Sequence, residues 1–208
     1  MNFEDIDNIY RSRKTLLTIL DRKGYNVEPF SKFSPAEIGA AVPTADDFSA
    51  LGFKAAKKDS DDPMVCTVLC LPRVTRQKLA SPFFTTLFER PNSETVILLL
   101  ELVGPHHHQA ALTAFLKYKS LVSFFSVEQI VNNPMDHVLV PKHELVPPAQ
   151  HKEIMDRNNM TSKSKFPLIR FHIDPIVRIL GGVPGDIIKI TRPSPQSGIY
   201  EFYRVVSP

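Results

Sequence analysis

The 208-residue sequence contains no tryptophan and only two cysteines, Cys66 and Cys70. A structural zinc site needs four ligands, and no further candidate ligand lies at a suitable spacing from this pair. Both cysteines fall in the apolar segment Val65–Leu71, where a free thiol usually behaves as a small buried side chain. We therefore interpret them as core residues of a strand, and we expect neither a metal site nor a cofactor.

The sequence also lacks long apolar runs. No run approaches the ~18 apolar residues that suggest a membrane span. The acidic start, Met1–Asp5, does not have the basic-then-apolar order of a signal peptide. We therefore expect an intracellular protein in a reducing compartment, without membrane contact.

An excess of one charge is absent as well, since the net charge is only +3. Residues 137–208 contain 10 Lys and Arg against 6 Asp and Glu, whereas residues 1–136 contain 15 against 16. The longer part therefore lacks the basic excess with which proteins bind nucleic acid by displacing counterions. Any contact with nucleic acid should be local and weak.

Residues 1–135 alternate between helical and strand patterns. Apolar residues at helical spacing predict a helix over Asp5–Arg22 that ends near Gly24, and Ser34–Glu37 (SPAE) predicts a capped short helix. The polar segment 54–63 is typical of an exposed loop. Further predicted strands cover 64–71, 95–102 and 121–125, and helices cover 75–90, interrupted at Pro82, and 104–116. This order favours an α/β sandwich of two or three layers around a mixed sheet with at least one parallel pair.

The segment Asn132–Pro134 (NNP) is typical of a boundary, so we expect domains over 1–135 and 136–208. In the second domain, Asp174-Pro175 predicts the N-cap and first-turn proline of a short helix over 175–180 that ends at glycines. The rest predicts a small α+β domain with a mixed sheet, with strands over 137–141, 187–191 and 199–206 and a helix over 149–157.

The triplet His106–His108 follows Gly104-Pro105 at a predicted helix start. Adjacent helical side chains point about 100° apart, so neighbouring histidines do not readily share a metal ion, unlike a pair four residues apart. We interpret the triplet as an exposed helix N-terminus. An alternative is a weak phosphate contact, because first-turn amides and imidazoles can both donate to an anion.

Asp174 is explained as a helix cap, and it lacks a recognisable base or second carboxylate for catalysis. The C-terminal part is instead rich in Tyr and Arg, which often anchor protein interfaces. The candidate interface residues are Arg178, Lys189, Arg192, Tyr200, Tyr203 and Arg204. Since Tyr200 and Tyr203 are three residues apart in a predicted strand, one should pack inward while the other faces a partner.

Three blocks in this part resemble the small H-type subunit shared by archaeal and eukaryotic nuclear RNA polymerases. The blocks are His137–His143 (HVLVPKH), Pro167-x-Ile169 with Asp174-Pro175 and Gly181, and the stretch from Gly185 (GDIIKI) to Tyr203-Arg204. Arg13–Thr15 with Asp21–Tyr25 (DRKGY) resembles, more loosely, the start of the eukaryotic jaw domain.

The resemblance implies a non-catalytic subunit of a nuclear DNA-directed RNA polymerase. It implies a jaw domain over 1–135 beside downstream duplex DNA, and an assembly domain over 136–208 docked on the largest subunit, with other core subunits as further partners. It adds His137 and His143 to the interface candidates, and it puts Gly104, Pro105, His106 and His107 near DNA.

Two departures are typical of a divergent paralogue. Val183–Gly185 replaces a basic pair before the glycine, and Gly104–His107 replaces a Thr-Pro-Ser-Ala loop. Such a paralogue could serve one polymerase class; if that class is polymerase I, we expect it in the nucleolus.

Two other functions are compatible with the residues. Asp59, Asp61 and Asp62 could hold a divalent metal in a nuclease-like enzyme. A free nucleic-acid-binding module is the second, but it would bind tightly and with strong salt dependence, which the charge balance of residues 1–136 does not favour.

Overall fold

The computed structural model describes residues 3–42, 44–58, 65–91, 93–194 and 198–208. The chain divides into two compact units, residues 1–133 and 134–208. Among the described residues, no helix is both long and apolar enough to cross a membrane.

The first unit begins with helix α1 (Phe3–Arg22), which confirms the predicted helix. Its buried face includes Ile9, Leu16 and Leu20 at helical spacing. The helix ends where Gly24 adopts a φ of 87°, a left-handed conformation that costs glycine little. Helix α2 (Pro35–Ala41) carries the predicted capping box between Ser34 and Glu37.

The segment predicted as an exposed loop over 54–63 is only partly described, and its first residues are a strand. Strand β1 (Phe53–Ala56) pairs antiparallel with β2 (Val65–Leu71), and Ala55 is buried. The loop prediction is therefore wrong for residues 54–56, because pairing with β2 satisfies the backbone of a segment in which Lys54 is the one polar side chain. Asp59, Asp61 and Asp62 lie outside the described residues.

The sheet of the first unit has the order β1-β2-β3-β4 and is mixed, as predicted. Strand β3 (Glu94–Leu99) runs parallel to both β2 and β4 (Leu121–Ser126), and all its residues are buried. It ends three residues earlier than expected. Cys66 and Cys70 of β2 are both buried, and burial raises the pKa of the Cys70 thiol to about 12. Both thiols are therefore core side chains of low reactivity.

Four helices follow the strands β2, β3 and β4 in the described part of the first unit. Pro82 separates α3 (Arg76–Leu79) from α4 (Pro82–Phe88), as the sequence predicts. Helix α5 (Pro105–Tyr118) links β3 to β4 and ends at Lys119, whose φ is 57°. Helix α6 (Val127–Ile130) follows β4.

The second unit has a mixed sheet of order β5-β7-β8-β6. Its strands are β5 (Lys142–Leu145), β6 (Leu168–Arg170), β7 (Ile187–Ser194) and β8 (Gly198–Ser207). The strand predicted over 137–141 is wrong: the Val140 amide donates to the His137 carbonyl in a turn, and pairing begins only at Lys142. Pro141 has no N–H to give to a ladder, which agrees with a strand that starts after it.

Helix α7 (His151–Arg157) and helix α8 (Pro175–Leu180) complete this unit. The N-cap of α8 is Asp174, whose Oδ1 accepts from the amides of Ile176 (2.8 Å) and Val177 (3.1 Å). Gly181 ends the helix with a φ of 73°. One core cluster joins the sheet to α7 through Val146, Ile154, Phe166, Ile187, Tyr203 and Val205.

Candidate functional site

In the second unit, β7 and β8 form an antiparallel hairpin that sorts the predicted interface residues onto two faces. Arg192 lies opposite Tyr200, and Lys189 lies opposite Tyr203. Directly opposite residues share a face, and faces alternate along each strand. Arg192, Tyr200 and Phe202 therefore share one face, while Lys189 and Tyr203 lie on the other.

On the first face, a cation and two aromatic rings are in contact. We call this group, Arg192, Tyr200 and Phe202, the hairpin cluster. The Arg192 guanidinium carbon lies 5.2 Å from the Phe202 ring centre and 5.9 Å from that of Tyr200. The two rings are stacked with centres 5.9 Å apart. Arg192 is exposed and Tyr200 is 48% exposed, so the cluster is held in place while much of its area still faces solvent.

The other face of the hairpin is occupied by internal contacts. Lys189 Nζ lies 2.6 Å from Glu201 Oε1. This hydrogen bond raises the pKa of Lys189 and lowers the pKa of Glu201. Tyr203 belongs to the buried core, so the expectation that one tyrosine packs inward and the other faces out is confirmed, with Tyr200 as the exposed one.

Arg178 and Arg204 were predicted as interface residues, but neither side chain is fully exposed. Arg178 is 5% exposed, and burial lowers the pKa of its guanidinium to about 10, an effect that the Asp174 carboxylate one turn earlier opposes. Arg178 is buried because α8 has only six residues and four of them, Ile176–Ile179, are packed against the rest of the unit. Arg204 is half-buried and donates to the Leu168 carbonyl at 3.0 Å.

His137 and His143 make the backbone hydrogen bonds that a structural role requires. His137 Nδ1 accepts from the Leu139 amide at 3.2 Å, and His143 Nδ1 lies 2.6 Å from the Pro141 carbonyl, to which it donates. Between them, Val138 is 97% exposed and Leu139 is 84% exposed. Sequence reasoning missed this apolar turn because it assigned these side chains to a strand.

Sequence reasoning also missed Phe202 as a member of the hairpin cluster. The signal was present in the sequence, since Tyr200 and Phe202 are two residues apart in a predicted strand and so share a face. Their pairing with Arg192 depends on the register of the hairpin, which the sequence pattern left open.

In the first unit, the predicted histidine site is a hydrogen-bonded cluster at the start of α5. His106 Nε2 lies 3.1 Å and His107 Nε2 3.0 Å from the same Val74 carbonyl oxygen. The Val74 amide donates to Glu101 Oε1 at 2.9 Å. His107 is completely buried, so the expectation of an exposed helix N-terminus is wrong for this residue, whereas Pro105 is exposed.

The hydrogen bonds define the protonation of His107. Its Nδ1 accepts from the Gly104 amide at 3.0 Å, so the proton of the neutral ring is on Nε2, which donates to Val74. Burial and the neighbouring His106 lower the pKa of His107, which favours this neutral form. Glu101, His106 and His107 bring possible ligand atoms within 4.8 Å of one another. Both Nε2 atoms donate to the Val74 carbonyl and so have no lone pair for a metal in this arrangement, in which the hydrogen bonds of the cluster join the start of α5 to Val74.

Known proteins match this chain in the same C-terminal part that contains the three sequence blocks. The family profile described as "RNA polymerase Rpb5, C-terminal domain" matches residues 132–206, which include the hairpin cluster. The chain is 43% identical over 74 residues to "DNA-directed RNA polymerase subunit Rpo5" of Pyrococcus horikoshii. These aligned residues make up 36% of this chain and 88% of that relative.

Two eukaryotic relatives extend over nearly the whole chain. "DNA-directed RNA polymerases I, II, and III subunit rpabc1" of Dictyostelium discoideum is 26% identical over 202 residues, which cover 97% of this chain and 98% of the relative. "DNA-directed RNA polymerases IV and V subunit 5B" of Arabidopsis thaliana is 24% identical over 199 residues, covering 95% and 89%. The inferred resemblance is thus confirmed, and the chain belongs, as a divergent member, to the Rpb5/Rpo5 family of DNA-directed RNA polymerase subunits.

Proposed function

We propose that the chain is a non-catalytic subunit of a nuclear RNA polymerase, and that its second unit attaches it to the largest subunit. Residues 134–208 would act as the assembly domain and residues 1–133 as the jaw domain beside downstream duplex DNA. In this role the protein supports one wall of the DNA channel, while the catalytic metal is bound by other subunits.

The observation that carries this proposal is the hairpin cluster. Arginine and tyrosine are over-represented among residues that dominate binding energy, and here they are exposed and already stacked. Binding would therefore order few additional side-chain torsions, which reduces the entropic cost of association. The cluster lies within the part of the chain that matches the Rpb5 C-terminal domain.

The structure also suggests different roles for the candidate interface residues. We assign direct contact to Arg192 and Tyr200, because both are exposed. The Lys189 side chain, with its Glu201 partner, and the half-buried Arg204 and His143 would lie at the rim, where contacts contribute less. Arg178 and Tyr203 are buried, so they would stabilise the fold of the second unit without contacting the partner. His137 would hold the exposed turn that carries Val138 and Leu139.

Affinity purification of the tagged chain tests the attachment. We expect the largest polymerase subunit to co-purify, and the double variant Arg192→Ala with Tyr200→Ala to recover roughly tenfold less of it. Lys152→Ala, an exposed change in the same unit, is the control and should leave recovery unchanged. Full recovery with a correctly folded double variant would contradict the assignment of the cluster.

The identity of the recovered large subunit gives the polymerase class. We propose a nuclear location, and recovery of the polymerase I subunit would refine it to the nucleolus. A nuclease assay of the purified chain with magnesium or manganese addresses the enzymatic alternative, and metal-dependent cleavage would contradict a non-catalytic role.

For the DNA side, we propose a weak contact at the start of α5. Gly104, Pro105 and His106 retain surface, whereas His107 is buried and would only hold the turn. His106→Ala should therefore reduce the affinity of the assembled polymerase for downstream duplex by a small factor. Unchanged duplex binding and elongation would remove this contact from the proposal.

A further inference from the structure

A groove of about 690 Å³ lies in the first unit, between α5 on one side and α3 and α4 on the other. This volume is within the range typical of ligand sites in proteins. All three helices contribute to its lining, which includes Arg76, Leu79, Phe88, Ala110, Ala114 and Lys117.

Small and apolar side chains give the groove its depth. Ala110 and Ala114 are four residues apart on α5, so they lie one above the other on the same face of the helix. Ala114 is 2% exposed and Phe88 is 7% exposed, and Leu79 contributes from the opposite wall. Alanines at adjacent turns leave room for the larger apolar side chains of a partner.

The Lys and Arg side chains that line the groove, Arg76 and Lys117, have no Asp or Glu among the other lining residues. Helices α3, α4 and α5 contain three cations, Arg76, Lys78 and Lys117, and no aspartate or glutamate. Arg76 and Lys117 both line the groove, and within the part of the chain that is described neither forms an ion pair. Glu89, just after α4, accepts a hydrogen bond from the groove residue Tyr118 at 3.3 Å.

An apolar groove with two cations among its lining residues suits some classes of partner better than others. Duplex DNA is recognised through repeated phosphate contacts, and two cations beside an apolar floor provide few of these. An amphipathic helix uses apolar side chains three and four residues apart to fill a groove, and its polar face then meets the rim. A rim that carries Arg76 and Lys117 complements acidic residues on that face.

We propose that the groove between α3, α4 and α5 docks an acidic amphipathic helix of a partner protein. This inference concerns a different unit from the hairpin cluster, and its test uses the purified chain without polymerase. Failure of the attachment experiment and failure of this one can therefore be told apart.

The probe is a fluorescein-labelled amphipathic peptide of about 15 residues, with leucines on one helical face and glutamates on the other. Fluorescence anisotropy with the full-length chain should show saturable binding that weakens as salt increases. A matched peptide with lysine in place of every glutamate should bind more weakly. Equal binding of the two peptides would overturn the proposal.

Two kinds of variant locate the binding. Arg76→Glu with Lys117→Glu should weaken binding of the glutamate peptide roughly tenfold and strengthen binding of the lysine peptide. Ala110→Leu fills the groove without changing charge and should weaken both. Lys14→Glu with Lys32→Glu changes two exposed lysines of the same unit, neither of which lines the groove, and is the control for net charge.

Each outcome has a defined meaning. Loss of binding in the groove variants, with normal affinity in the control, supports the proposal. Equal losses in the control and in Arg76→Glu with Lys117→Glu would mean non-specific charge attraction and overturn it. Displacement of the peptide by a short DNA duplex at stoichiometric concentration would assign the groove to nucleic acid and would also overturn it. Circular dichroism of every variant verifies that the fold is retained.

Discussion

His107 illustrates how a single side chain can be fixed by two backbone groups. It bridges the Gly104 amide and the Val74 carbonyl, and Glu101 and His106 are the titratable groups next to it. In the folded chain its pKa is lowered, chiefly by burial. In the unfolded chain it should be near the ordinary value of about 6.5. Below that value the unfolded chain takes up a proton that the folded chain resists.

The expected consequence is a loss of stability as pH falls. Above about pH 6.5 the imidazole is neutral in both states and contributes no pH dependence. Between that pH and the lower folded pKa, the free energy of unfolding decreases. His107→Gln should retain the bond from the Gly104 amide, since Gln is a natural capping-box residue at this position. It should therefore show a flatter stability profile.

Urea unfolding at pH 7 and at about pH 5.5, followed by circular dichroism, measures this difference. Lys152→Gln, an exposed change to a residue that does not titrate in this pH range, is a suitable control and should give the wild-type profile. If His107→Gln lost as much stability as the wild type between these pH values, burial of the neutral imidazole would not be the cause.

Among the secondary-structure elements, α8 depends most clearly on its N-cap residue, Asp174. Asp174 accepts from two first-turn amides, and its carboxylate is also beside the buried Arg178. Asp174→Ala removes both effects and should lower the free energy of unfolding by about 1 kcal/mol or more. Asp174→Asn keeps an amide oxygen as acceptor but removes the charge, so it should lose less. Equal losses in the two variants would assign the effect to the charge and not to the cap.

For the chain as a whole, we expect the second unit to fold without the first. Residues 134–208 contain their own core cluster, and the Pyrococcus horikoshii relative aligns over 74 residues that make up 88% of its length. We expect a fragment of these residues to unfold cooperatively on heating, as seen by circular dichroism. A fragment starting at Ile187 lacks β6 and α8 and should not. A gradual, non-cooperative transition in the longer fragment would contradict an independent core.

Much of the local structure could be predicted from short-range patterns. The periodicity of α1, the capping box at Ser34, the break at Pro82 and the Asp174 cap depend on residues within a few positions of one another. The same is true of the blocks that identify the family. Local hydrogen bonding and fixed proline torsions produce these features before any distant segment is in place.

Features that depend on distant segments could not be predicted in this way. Residues 54–56 became a strand because β2 pairs with them, and residues 137–141 became an exposed turn because pairing with β7 begins at Lys142. Burial of Arg178 and His107, and the stacking of Arg192 on Tyr200 and Phe202, likewise require the folded neighbours. Sequence patterns thus specified the helices, their caps and the family, whereas long-range packing selected which charged and aromatic side chains remain on the surface. The reason is that local energies act between residues close in the chain, while exposure depends on what the rest of the chain covers.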